Sequence, residues 1–224
     1  MCGRIRQAEL PDEYFATVFT NMHKIFDPGD GLRFNVPPGT KPMVMHELTG
    51  SPTLDRQFWG YAPPWYKRSP VSNARLDKIL DNSPFWKAPT VHGRMIVPAD
   101  GWFEWTGEKG DKQPWFIRPA DGKPILMAAI SGWREGAEVG KESGFAIVTD
   151  DSAGGMVDIH DRRPIILTAE HAREWMSPAM TVGQAKELLS VARPESAFEW
   201  YEVTRKVGNS RYQGEDASEP IAIV

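Results

Sequence analysis

The sequence predicts an α+β fold: a single domain built on a strongly curved, barrel-like and mostly antiparallel β-sheet with a few peripheral helices. Three observations lead to this prediction. Many short apolar runs are bounded by turn residues and have the lengths of strands. Few segments show helical periodicity. No repeat or linker divides the 224 residues, of which 41% are hydrophobic and 25% charged, into two cores.

The elements follow in order along the chain. Proline and two acids at Pro11-Asp12-Glu13 predict the start of a helix over residues 11–24, and residues 27–31 and 37–39 are predicted loops. Asp121-Gly122 predicts a hairpin turn. Polarity after about residue 208 predicts a loosely ordered tail to a domain spanning residues 1–224. Strands are predicted at 42–48, 54–59, 94–98, 101–105, 114–118, 125–130, 144–149, 163–168 and 198–204, and further helices at 169–176 and 182–192.

Composition excludes several classes of protein. No run approaches the ~20 apolar residues of a membrane-spanning helix, and the N-terminus lacks the apolar region of a secretory signal, so a cytoplasmic location is expected. A single cysteine excludes an internal disulfide and disfavours a cysteine-based zinc site. The histidines lack metal-like spacing, and we expect neither metal nor cofactor.

The net charge is −4, but it is unevenly distributed, because basic and aromatic residues are concentrated within residues 56–94. Cations for phosphates and flat rings for unstacked bases are what a single-strand groove requires. The alternative is a solvated basic face beside a buried aromatic cluster. Within residues 56–94 the basic residues are Arg56, Lys67, Arg68, Arg75, Lys78, Lys87 and Arg94, the acids are Asp77 and Asp81, and the interleaved rings are Phe58, Trp59, Tyr61, Trp65, Tyr66, Phe85 and Trp86.

Cys2 is a candidate nucleophile because removal of Met1 would make it the terminal residue. A terminal cysteine carries an amine of pKa about 8 and a thiol of pKa about 8.5, two carbons apart. An aldehyde can form a Schiff base with the amine, after which the thiol closes a five-membered thiazolidine. The alternative is an incidental cysteine.

Two further segments carry candidate acid–base groups. Glu104 lies within the aromatic run 101–105 and would share a strand face with Trp102, so partial desolvation is expected to raise its pKa. His160 lies in the loop 158–164 and could shuttle a proton or donate a hydrogen bond to a sugar oxygen. The alternatives are that Glu104 is a structural residue held in a salt bridge, and that the loop 158–164 is a surface turn whose charges pair with one another.

Asn73 and Arg75 allow two interpretations. Asn73 could cap a helix beginning at about residue 74. Alternatively its amide could contact a substrate oxygen while Arg75 binds a phosphate.

Six motifs occur in order across essentially the whole chain, from residue 2 to about residue 209: Cys2-Gly3-Arg4, residues 33–40 (RFNVPPGT), residues 58–63 (FWGYAP), Asn73-Ala74-Arg75, residues 101–105 (GWFEW) and residues 159–164 (IHDRRP). In this order they resemble the SOS response-associated peptidase (SRAP) family. The chain departs from the usual family pattern at Asp77, where glutamate is common, and at Tyr66, where some relatives carry a second tryptophan.

The resemblance implies a sensor of abasic sites that crosslinks itself to single-stranded DNA through a Cys2 thiazolidine at replication forks, protecting the lesion during the SOS response. Self-processing peptidase and abasic-site lyase activities are implied as side activities, although a host aminopeptidase could also remove Met1. The expected protein acts at the nucleoid without a membrane partner, and a monomer would suit a protein that is consumed by its own reaction. The implied catalytic residues are Cys2, Asn73, Glu104 and His160, and the implied DNA-binding residues are Arg4, Pro38, Trp65, Tyr66, Arg75 and Arg162.

Two rival functions remain open from the sequence. One is a cysteine-dependent peptidase acting on other proteins, with Cys2 and His160 as nucleophile and base. The other is a non-catalytic module that binds single-stranded DNA through the aromatic and basic residues alone.

Overall fold

A computed structural model describes residues 2–20, 31–134 and 136–221, which form two β-sheets with helices packed on the larger one. None of the helices in these ranges has the length and hydrophobicity needed to span a bilayer. The strands are β1 (Ile5–Gln7), β2 (Arg33–Val36), β3 (Met43–His46), β4 (Thr53–Arg56), β5 (Asn73–Arg75), β6 (Arg94–Ala99), β7 (Gly101–Thr106), β8 (Gln113–Pro119), β9 (Ile125–Ser131), β10 (Phe145–Asp151), β11 (Arg162–Pro164), β12 (Ile166–Leu167) and β13 (Phe198–Glu202). The helices are α1 (Pro11–Ala16), α2 (Leu76–Leu80), α3 (Pro84–His92), α4 (Ala169–Met176) and α5 (Val182–Leu188).

The smaller sheet has the strand order β13-β8-β7-β1-β2, and the larger one has β11-β10-β9-β6-β3-β4, with β12 on β9 and β5 on β10. Strand pairs within the described ranges are antiparallel except for β5, which runs parallel to β10. The predicted α+β class and mostly antiparallel pairing are therefore confirmed. Both strand orders are open, so the sheets do not close into a barrel.

Three apolar layers explain the sequence pattern. Strands β6 and β9 are buried along their whole length because one face packs against helices and the other against the smaller sheet. A third layer covers the outer face of the smaller sheet. Examples from the helix layer are Ile96, Ala128 and Trp175, from the layer between the sheets Val97, Met127 and Trp102, and from the outer layer Phe103, Phe116 and Val207.

The predicted strands within residues 42–204 correspond to observed ones with shifted ends, and the predicted strand 163–168 is divided into β11 and β12. Helix α4 has the predicted bounds, whereas α5 ends at Leu188 and continues as a 3-10 turn over 189–191. Helix α1 ends at Ala16, before the predicted end, and residues 21–24 of that prediction lie outside the described ranges, as do residues 27–30 of the predicted loop.

Strands β1, β2 and β5 and helix α3 were not predicted, and α2 was anticipated only as a helix beginning at about residue 74. The three strands are only three or four residues long, so no alternation is visible in them. Helix α3 contains Pro89 in its interior, a residue that ordinarily ends a helix. Pro89 and Trp86 are both buried, so the helix is stabilised by packing rather than by helix propensity.

The segment after Gly208, predicted to be loosely ordered, makes specific contacts with the smaller sheet. The Gln213 side chain accepts a hydrogen bond from the Phe34 amide at 3.0 Å and donates one to the Asn35 carbonyl at 2.8 Å. Ala217 is fully buried. These contacts cover the edge strand β2.

Arg94 joins the helices to the larger sheet. Its side chain is 5% exposed, and its guanidinium donates to the carbonyls of Trp175 and Ser177, each at 2.8 Å, and of Met180 at 3.1 Å. These carbonyls follow the last turn of α4 or lie in it, where the helix leaves acceptors without internal partners. The buried cation thus satisfies the end of α4.

Replacing Arg94 by methionine should lower the free energy of unfolding by about 3 kcal/mol, because several buried carbonyls would lose their donor. Urea denaturation measures the change. Arg211→Met removes the same charge from an exposed position and should change stability by less than about 0.5 kcal/mol. Equal effects of the two substitutions would contradict this role of Arg94.

Candidate functional site

Cys2 lies in the apolar layer between the two sheets. The Arg4 carbonyl accepts a hydrogen bond from the Phe103 amide at 3.0 Å, and Ile5 pairs with Trp102, so the start of the chain runs beside β7. The Cys2 side chain is fully buried. Burial, and secondly the charge of Glu104, raise the pKa of the thiol far above its ordinary value. The resting thiol is therefore protonated.

Asn73 fixes the backbone of Cys2. It lies in β5, opposite Ile147 of β10, and its Nδ2 donates to the Cys2 carbonyl at 2.9 Å. The same nitrogen lies 3.1 Å from Ser72 Oγ. The predicted capping role is wrong, because α2 begins at Leu76 with Arg75 as its N-cap. Among the described residues, the buried Oδ1 of Asn73 has no hydrogen-bond partner, which leaves an acceptor beside Cys2.

Glu104 is 3% exposed and lies on β7. Trp102 of that strand packs between the sheets and Phe103 on the outer side, so alternation places Glu104 on the inner side, as predicted. Burial is the largest cause that raises its pKa to about 7, and the negative charge of Asp161 adds to the rise. The carboxyl group therefore exchanges protons near neutrality.

His160 follows a 3-10 turn over Gly154–Asp158, and its side chain is 28% exposed. Its Nδ1 lies 3.0 Å from the Arg162 amide, which donates to it, and 2.7 Å from Asp161 Oδ1. One nitrogen cannot accept from the amide and donate to the carboxylate at once. Partial burial is the main cause that lowers the pKa of His160, which favours the neutral ring with its proton on Nε2. Protonation would turn Nδ1 towards Asp161 as its partner.

Charge interactions connect these groups. Glu104 acts on the pKa of Cys2, and Asp161 acts on the pKa of both Glu104 and His160. The predicted residues Cys2, Asn73, Glu104 and His160 therefore belong to one electrostatic neighbourhood, with Asn73 joined to Cys2 by a direct hydrogen bond. The motif at residues 159–164 contains Asp161, but no role for this residue was predicted from the sequence.

Two of the predicted phosphate-binding arginines face exposed carboxylates. Arg75 lies at the end of β5, where Nε and Nη2 donate to the two carboxylate oxygens of Asp77 at 2.9 and 3.0 Å. Arg162, which pairs with Asp151 across β10 and β11, has Nη1 3.6 Å from that carboxylate. Both arginines lie beside the last residues of β10, and the same strand pairs with Asn73 nearer its start.

Arg4 has a different setting from the other two arginines. Its Nη1 donates to Asn35 Oδ1 at 2.7 Å and to the Val207 carbonyl at 2.9 Å, and its guanidinium lies 5.5 Å from the centre of the Trp105 ring. These contacts hold the start of the chain to the segment around Val207. Asn35 belongs to the motif at residues 33–40, but its contact with Arg4 has no sequence signal.

The remaining predicted DNA-facing residues lie on two loops. Pro38 is half-buried in a loop held by a hydrogen bond of 2.9 Å from the Gly39 amide to the Trp59 carbonyl. Trp65 is 61% exposed, and its ring lies edge-on to Tyr66 with centroids 6.3 Å apart. Within the described ranges, no group of three or more histidine, cysteine or acidic residues is arranged to hold a metal ion.

A family model described as "SOS response associated peptidase (SRAP)" matches residues 1–210. An Escherichia coli K12 protein named abasic site processing protein YedK is 42% identical over 99% of this chain and 100% of its own length. A Rattus norvegicus protein named abasic site processing protein HMCES is 30% identical over 68% of this chain and 52% of its own length. The crystal structure of a phage-related protein from Bordetella bronchiseptica superimposes with a TM-score of 0.84 at 45% identity, covering 95% of this chain and 99% of that one. This chain therefore belongs to the SRAP family.

Proposed function

We propose that this protein processes abasic sites in single-stranded DNA by crosslinking itself to them through Cys2 once Met1 has been removed. The relatives named as abasic site processing proteins support the substrate class. The hydrogen bond from Asn73 to the Cys2 carbonyl, beside a buried Glu104 with a pKa of about 7, is the observation that carries the chemistry.

The reaction begins with an abasic deoxyribose in its closed hemiacetal form. A proton donor and an acceptor must open this ring to the aldehyde, and His160 and Glu104 supply them. The terminal amine of Cys2 then attacks the aldehyde carbon, and the resulting carbinolamine loses its hydroxyl as water with a proton from Glu104. The product is a protonated imine between Cys2 and the sugar.

Closure of the thiazolidine follows. The Cys2 sulfur adds to the carbon of the protonated imine, the thiol proton goes to the Glu104 carboxylate, and one water has been lost overall. Because the resting thiol is protonated, the amine is the better first nucleophile. Because proton donation leaves Glu104 negative, it is able to receive the thiol proton, which returns it to its starting form. No cofactor enters these steps.

The rivals fit the site less well. A cysteine peptidase needs a thiolate, and burial raises the pKa of this thiol instead of lowering it. A purely non-covalent module would not require an amide that holds the Cys2 carbonyl or a carboxyl that titrates near neutrality. Self-removal of Met1, β-elimination at the lesion, preference for fork junctions, action as a monomer and association with the nucleoid belong to the same proposal as secondary properties.

Incubation with single-stranded DNA bearing one abasic site should give an adduct that survives denaturing electrophoresis. Cys2→Ala should abolish the adduct, because the thiazolidine ring cannot close without the sulfur. Glu104→Gln and His160→Ala should slow adduct formation at least tenfold while leaving DNA affinity largely unchanged. Undiminished crosslinking by Cys2→Ala would overturn the proposal, and borohydride trapping of a cleaved strand would reveal lyase turnover.

The rate of crosslinking should pass through a maximum near neutrality. The amine must be unprotonated, which favours pH values towards its pKa of about 8. Glu104 must carry the proton that the departing hydroxyl takes, so the rate should fall as pH rises through its pKa of about 7. Single-turnover rates between pH 5.5 and 9 measure both limbs. Glu104→Gln should be slow and lack the descending limb, and an unchanged profile in that variant would contradict this role.

Asp77→Asn should strengthen binding of intact single-stranded DNA several-fold at low salt, because Arg75 would no longer be occupied by a carboxylate. The slope of log K against log salt concentration should steepen by about 0.7, the value for one further phosphate contact on a single strand. Asp81→Asn is the matched control, since it removes the same charge from the end of the same helix, where the carboxylate faces Lys78 at 3.6 Å. Similar changes in both variants would mean that the effect comes from net charge alone, which would contradict the prediction.

A further inference from the structure

A cavity of about 340 Å³ opens beside Trp65, outside the group of residues around Cys2. Aromatic side chains form much of its wall, including Trp65, Tyr61 and Trp133, together with Pro63 and Pro64. Its volume lies at the lower end of the range of about 300–1,000 Å³ that is typical of small-molecule sites. The cavity therefore has room for one planar ring system.

The aromatic wall is held in place before any ligand arrives. Although Trp65 is 61% exposed, its ring packs edge-on against Phe85 with centroids 5.7 Å apart. Phe85 in turn packs against Trp86 at 4.5 Å and against Tyr61 at 5.3 Å. Perpendicular contacts of this kind restrict the rotation of the Trp65 ring, while its exposure leaves part of the ring open to a ligand. A ring that is both exposed and fixed favours stacking of a flat ligand.

The rim of the cavity carries one donor and one acceptor group. Arg134 and Glu142 are both exposed and both contribute to the lining. Burial is the main cause that raises the pKa of Tyr61, and the charges of Arg134 and Glu142 also act on it, which places both groups near that ring. A guanidinium and a carboxylate can together hydrogen-bond the polar edge of a heterocycle.

We propose that this cavity binds one unstacked nucleobase of the DNA strand that carries the abasic site. The inference rests on the proposed function, since the strand must first lie along the segment that contains Trp65. A phosphate or a simple sugar would use the rim charges but not three aromatic rings. A nucleobase uses both, because it stacks through its face and hydrogen-bonds through its edge.

The test uses single-stranded oligonucleotides that contain a tetrahydrofuran abasic analogue, which cannot form an imine. 2-Aminopurine is placed in turn at each of the four positions on either side of the analogue, because its fluorescence falls when it stacks on an aromatic ring. Binding of the wild-type protein should quench one position selectively. Trp133→Ala should remove that quenching and weaken affinity about tenfold, whereas Trp133→Phe should keep most of both.

Arg134→Ala should reduce the selective quenching without altering the fold, since the side chain is exposed. Arg211→Ala removes an equal charge from an exposed site outside the cavity lining and should leave the quenching pattern unchanged. Quenching that depends on Trp65 but not on Trp133 would mean that the base stacks on the outer face of Trp65, and it would overturn the proposal.

Crosslinking to a natural abasic site is measured in parallel with the same variants. If the wild-type protein crosslinks and no position shows Trp133-dependent quenching, the cavity proposal is wrong and the proposed function stands. If quenching is present and no adduct forms, the covalent function is wrong and the base-binding site stands.

Discussion

The placement of Cys2 between two sheets is the constraint on which the rest of the site depends. The chain enters this layer through the pairing of Ile5 with Trp102, and Asn73 reaches from the other sheet to hold the Cys2 carbonyl. Glu104 shares the same layer because it alternates with Phe103 along β7. The hydrogen bond from Asn73 therefore links the two sheets at the point where Cys2 lies.

The buried layer also sets the electrostatics. Desolvation acts in opposite directions on acids and bases, so it raises the pKa of Cys2 and Glu104 and lowers that of His160. The resting site thus contains a neutral thiol, a carboxyl poised between its two forms and a largely neutral imidazole. Glu104 and His160 can give or take a proton near neutral pH while the Cys2 thiol keeps its own, so no fully formed charge is buried permanently.

Regular packing made part of this structure predictable from the sequence. Strand β9 was predictable because residues 125–130 form an apolar run of strand length, and the sharing of one face by Trp102 and Glu104 follows from side-chain alternation along a strand. The short strand β5 was missed because three residues show no pattern, and this omission made a capping role for Asn73 look reasonable. Its true position depends on pairing with β10, a contact between residues more than seventy positions apart in the sequence.

Likewise, the motif containing Arg4 carried no sign that Asn35 and Val207 engage its guanidinium, because such partners come together only when the smaller sheet has formed.

The protonated state of the Cys2 thiol has a consequence for the lifetime of the protein. Peroxides and alkylating agents attack thiolates far faster than thiols, and they need access to the sulfur. A fully buried cysteine whose pKa is raised presents neither the charge nor the surface that these reagents require. The desolvation that keeps the Cys2 thiol protonated thus also protects its sulfur against oxidation to sulfenic acid.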